Sequence, residues 1–117
     1  MARAPLPLTP AELAPVESAW LAGARDRATL KVLTKHYLAV LAQRAPGHSV
    51  EVRVPPFAAV QVIAGARHTR GTPPAVVETD AATWIALARG EETWDAAAAR
   101  VRASGERSNL APHLPLT

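Results

Sequence analysis

The sequence predicts an α+β domain in which helices pack on one face of a mainly antiparallel sheet. Three observations carry this. Apolar residues recur at spacings of three and four through residues 26–45, as on one side of a helix, but alternate singly through 49–54 and 101–104, as in half-buried strands. The strand-like stretches are mostly not separated by single crossover helices, which argues against a doubly wound parallel sheet. The 117 residues are 49% hydrophobic and 20% charged with a mean hydropathy of +0.03, which suits one folded domain spanning 1–117 and not a disordered chain.

The elements follow in order. Residues 1–8, with Pro5 and Pro7, read as a flexible arm. The helical part is expected over 9–45. Thr9 can cap a first helix, Pro10 suits its first position and Glu12 can complete a capping box. Pro15 conflicts with that helix, because its ring would meet the carbonyl of Ala11. Either the helix restarts at Pro15 or it kinks, and it ends near Gly23. Asp26 can cap a longer helix ending near Ala45, with Leu30, Leu33, Tyr37, Leu38 and Leu41 on one side. Arg27, Lys31, Lys35 and Gln43 lie opposite, and Pro46–Gly47 stops it.

The sheet and its covering helices are expected over 48–117. Val50, Val52 and Val54 alternate with Ser49, Glu51 and Arg53. Pro55–Pro56 ends that strand. Val60 and Val62, around Gln61, resume strand character and should turn back beside the first. The stretch Ala-Val-Val-Glu-Thr-Asp at 75–80 is a third strand candidate. Asp80 can cap a helix closed by Gly90, and Thr93 a short one beginning at Trp94. Val101 and Ala103 alternate with Arg102 and Ser104 in a last strand. Leu110, Leu114 and Leu116 should pack a proline-containing tail onto the body.

Several chemistries are set aside. Without cysteine there is no disulfide or thiolate chemistry. The four histidines, His36, His48, His68 and His113, show no helical metal-ligand spacing, so no metal or cofactor is expected; His36 is read as a surface or boundary residue. Ser104 lacks a nucleophile elbow and a partner base, and no phosphate-binding loop is present. Aromatics make up only 4% of the chain, too few to interleave with a basic stripe, so no nucleic acid is expected as a partner. The N-terminus has no apolar run of signal length and no segment is long enough to span a bilayer, which places the protein in the cytoplasm. The formal net charge of +3 favours anionic ligands or a transient membrane-surface contact. It leaves the oligomeric state open.

The stretch Arg67-His-Thr-Arg-Gly-Thr-Pro-Pro74, with Val76-Val-Glu-Thr-Asp80, Trp84-x-x-Leu-Ala-x-Gly90, Ala103-Ser-Gly-Glu-Arg107 and the Leu-Pro-Leu tail at 114–116, resembles the bacterial branch of the sterol carrier protein family. The likeness runs from about His48 to the end. It also touches the C-terminal domain of mycothiol-dependent maleylpyruvate isomerase-like proteins. It implies a largely antiparallel sheet of about five strands with an apolar tunnel under the helices, the fifth strand lying in 66–71, and it implies binding of sterols, fatty acyl chains or other lipids. The two helices at 9–45 depart from the single opening helix of the better-known eukaryotic carriers. Isomerase chemistry ranks behind, because the metal-binding partner domain is not in this sequence.

The resulting expectation is a non-enzymatic carrier of a hydrophobic small molecule. Val52, Val54, Val60, Val62, Trp84, Leu87 and Val101 would line its pocket, with no catalytic residue. The alternative is an accessory interaction domain with a filled core, since alanine-rich helices can either close on the sheet or stand off it. The basic loop also has two readings. Arg67 and Arg70 could brace a turn at Gly71, or bind the anionic head group of an amphiphile.

Overall fold

A computed structural model of the chain describes residues 6–65, 75–105 and 108–117. Two helices open it, α1 at Pro10–Leu21 and α2 at Arg27–Arg44. Strands β1 (Val50–Val54), β2 (Ala58–Val62) and β3 (Ala75–Thr79) follow. Then come α3 (Ala81–Arg89), the one-turn α4 (Trp94–Ala97) and β4 (Val101–Ser104), with 3₁₀ turns at Ala98–Arg100 and Ala111–His113.

Each α-helix begins where a capping side chain stands. Thr9 and Glu12 form a reciprocal capping box. Asp26 and Asp80 cap α2 and α3 through the same local pattern: each carboxylate accepts the backbone N–H and the hydroxyl of the threonine three residues on, Thr29 and Thr83. Hydrogen bonding by Thr29 holds the Asp26 carboxyl below its usual range. Thr93 caps α4 by accepting from Ala96 N. Such caps each contribute about 1 kcal/mol. Pro15 lies inside α1, which neither restarts nor breaks there. Both Pro15 and Ala11 face solvent, so water can satisfy the carbonyl that the proline leaves without a donor.

The strands are ordered β2-β1-β3-β4. Among the described residues the sheet has four strands, not about five, and it is mixed, not mainly antiparallel. β1 pairs antiparallel with β2, β3 antiparallel with β4, but β1 and β3 are parallel. The direction is forced by the hairpin. Val62 at the end of β2 lies opposite Val50 at the start of β1. A strand entering from that end on the free side of β1 must run with β1. The parallel pairing makes the link from β2 to β3 a crossover in topology. The expected fifth strand at 66–71 lies outside the described residues.

Side chains alternate as the strand period requires. Val50, Val52, Val54, Val60, Val62, Ala75 and Val77 point to one face and are buried. Arg53 and Gln61 point to the other and are exposed. Leu33, Tyr37, Leu38 and Leu41 of α2 and Trp84 and Ile85 of α3 join the valines in one core. The indole of Trp84 donates to the carbonyl of Thr34, joining α3 to α2. Each such side chain contributes roughly 1.5–3 kcal/mol on burial.

His36 is a correction. It is only 7% exposed, not a surface residue. Its ring stands edge-on to Tyr37, with centroids 4.8 Å apart, and its Nδ1 accepts the backbone N–H of Leu8 at 2.9 Å. The segment that leads into α1 has folded over it. Burial pushes the imidazole below its ordinary value, against a smaller opposing pull from Glu17.

A close approach joins the start of β1 to the end of β2. Ile63, a β-branched residue at φ 66, donates to Ala45 O at 2.6 Å and accepts from Ser49 N and Ser49 Oγ. Gly47 sits against this knot at φ +153, where an added Cβ would fall 2.2 Å from the carbonyl carbon of Ile63. Gly47→Ala should therefore destabilise by about 3 kcal/mol or more, read as a lowered urea midpoint. The His36 ring generates a pH effect with a defined sign. Its folded pKa lies below the ordinary 6.5, so the unfolded chain binds more protons just below that pH and stability falls as pH drops. The melting temperature should decline from pH 7 to 5.5, and His36→Gln should flatten that decline; an unchanged slope in the variant would contradict it.

Candidate functional site

A cleft of about 300 Å³ opens beside the C-terminal end of α3. Its walls come from three places in the chain. Helix α3 ends at Gly90, in the left-handed region at φ 75, the conformation glycine adopts without penalty. The turn that follows carries Glu92 and the Thr93 cap, which sets Trp94 at the start of α4. The C-terminal tail supplies the third wall. Asn109 accepts from Ala111 N, a 3₁₀ turn follows, and Leu116 N donates to Ala88 O at 2.7 Å. Leu110 and Leu116 are pegs, 0% and 3% exposed. Leu114 between them is only half-buried and lines the cleft with Leu87, Trp94 and Pro115.

The polar side of the cleft differs residue by residue. Glu92 is ion-paired with Arg100, whose guanidinium also donates to Thr83 Oγ1 at 3.0 Å. The Thr93 hydroxyl is occupied by its cap. Asp95 is among the residues lining the cleft and is exposed to solvent, and its carboxylate has no hydrogen bond or ion pair with any other described residue.

A partly buried ionic cluster fixes the end of α3. Arg89 donates to Glu17 Oε2 at 2.6 Å, Glu91 Oε2 at 2.9 Å and Tyr37 Oη at 3.0 Å. Burial disfavours its charge, but hydrogen bonds to Glu91, Glu17 and Tyr37 outweigh that and raise its pKa. Burial likewise opposes ionisation of Glu91, and the hydrogen bonds from Arg89 and Trp20 overcome it, so the carboxyl sits below its usual range. The Tyr37 phenol is pushed up by burial, against Arg89. Trp20 donates to Glu91 Oε1 at 2.9 Å and carries the Arg25 guanidinium 3.3 Å over its ring. The cluster joins α1 to α2 and α3. Among the described residues no group of three or more His, Asp or Glu could hold a metal ion, and no helix is long and apolar enough to cross a membrane.

The residues expected to line a pocket fall into three sets. Val52, Val54, Val62 and Trp84 are 0–1% exposed and Val60 is 7% exposed, all within the core between sheet and helices. Leu87, 1% exposed, forms the floor of the cleft over α3. Val101, half-buried, borders a separate cleft of about 600 Å³ along β4, with Val76, Glu78 and Arg102. A third, of about 310 Å³, lies at the Pro55–Pro56 turn beside Phe57 and Arg53. Arg67 and Arg70 lie outside the described residues. Sequence reasoning missed Asp95 and Pro115 and treated Leu114 only as packing. The one signal in the sequence was a tail whose leucines are separated by prolines, which cannot all bury at once.

Among curated proteins none matches the chain. A family model described as the bacterial SCP ortholog matches residues 26–116, from the cap of α2 to the last leucine peg. That stretch holds all four strands, α3, α4 and the tail that walls the cleft, and leaves α1 outside. Matched over more than three-quarters of its length, the chain belongs to the family of bacterial SCP orthologs, the bacterial sterol-carrier-like proteins.

Proposed function

We propose that this protein binds and carries a hydrophobic ligand of lipid, fatty acyl or sterol-like type, without catalysis. The observation that carries the reading is the family match over 26–116, which points generally to lipid binding or transfer. The cleft over Leu87 supports it, because it is apolar on its floor, open on one side and of a volume at the low end of small-ligand sites. Ligand first contacts Leu87, Trp94, Leu114 and Pro115. The deeper wall of Val52, Val54, Val60, Val62 and Trp84, with Val101 at its edge, would take a longer chain only if the helices part from the sheet. Arg67 and Arg70 are proposed head-group contacts for anionic ligands on the basic loop. Burial of apolar surface, roughly 25 cal/mol per Å² before association costs, drives the binding.

The uncharged fluorophore N-phenyl-1-naphthylamine tests this. Wild-type protein should enhance and blue-shift its emission saturably, while Leu114→Glu should weaken binding roughly tenfold or more with the melt retained. Val76→Glu, on the outer face of the sheet, should leave it unchanged. No saturable signal from the wild type would overturn the carrier reading in favour of an interaction domain with a filled core.

A further inference from the structure

The cleft over α3 has a polar side whose charge runs against that of the whole molecule. The chain carries a formal net charge of +3, which by itself would draw anions. Two acidic residues line the cleft, Glu92 and Asp95, and among the described residues no lysine or arginine does. Arg100, which pairs with Glu92, also donates to Thr83. Glu92 is thereby neutralised, which leaves Asp95 as an uncompensated carboxylate.

Trp94 stands next to it. Its indole is half-buried and lines the same cleft. The described residues include two cation–ring contacts, Arg25 over Trp20 and Arg27 over Phe57. Neither falls on Trp94, so among the described residues no cation covers that ring. A carboxylate and an uncovered indole at the mouth of an apolar cleft make a chemically specific pair. The carboxylate attracts a positive charge, the ring face attracts it through its quadrupole, and both do so more strongly as water is displaced. A carboxylate or phosphate head group would meet only repulsion there.

We propose that this cleft selects a single-chain amphiphile with an ammonium head. Its alkyl tail lies along Leu87, Leu114 and Pro115, and its cation sits between the Asp95 carboxylate and the Trp94 ring. The inference rests on the hydrophobic-ligand reading above and narrows its ligand class at this site.

The test is displacement of bound N-phenyl-1-naphthylamine at low salt by two surfactants of equal chain length, dodecyltrimethylammonium and dodecanoate, both kept below micelle formation. Dodecyltrimethylammonium should displace the probe at about tenfold lower concentration. Asp95→Asn should cut that preference several-fold, Trp94→Leu should reduce it further, and neither should alter the fold as read by circular dichroism. Dodecanoate displacing the probe equally well or better would overturn the head-group inference while leaving the hydrophobic site in place. So would an unchanged preference in Asp95→Asn. Failure of the probe itself to bind would remove the hydrophobic reading and this inference together.

Discussion

Six valines on one face of a four-stranded sheet have to be kept from water, and the strands themselves are too few to curl round and cover them. The cover comes from helices on either side of the sheet in sequence, α2 before β1 and α3 after β3. Each is started by an aspartate that binds the threonine three residues on. Because α2 and α3 also contact each other, through the Trp84 indole and the Thr34 carbonyl, the layer over the valines is continuous. The outer face of the sheet carries Arg53, Gln61 and Arg102 and needs no roof.

The cleft is a consequence of where that roof ends. Helix α3 is only nine residues long, and its last turn reaches the edge of the core. There the Arg89 cluster fixes it from one side and the C-terminal tail from the other. The tail docks by two leucines and one backbone hydrogen bond to Ala88. Prolines at 112 and 115 prevent it from forming a helix that would bury Leu114 as well. An apolar floor is thus left open beside a charged wall, at the surface and not in the middle of the sandwich.

Much of the architecture was legible in the sequence because it depends on local chemistry. Thr9, Asp26, Asp80 and Thr93 mark helix starts by the hydrogen bonds they can make, and single alternation through Val50–Val54 leaves one face apolar. The parallel pairing of β1 with β3 was not legible, because it depends on which edge of the hairpin the returning chain reaches. His36 was misread for a related reason: the group that buries it, Leu8, lies 28 residues away in sequence. The cleft was only partly visible. Leu87 could be singled out by its spacing from Trp84, but the residues facing it come from a tail whose docking partner is Ala88, and the Arg89–Glu17 bond spans 72 residues.

The central claim is that an apolar ligand meets this protein at the end of α3, between α4 and the returning tail. Amide chemical-shift mapping during titration with N-phenyl-1-naphthylamine addresses it most directly. The largest shifts should fall within 87–95 and 110–116, with the outer-face amides of Glu51, Arg53 and Arg102 unmoved. Shifts confined to that outer face or to the Pro55–Pro56 turn would contradict it.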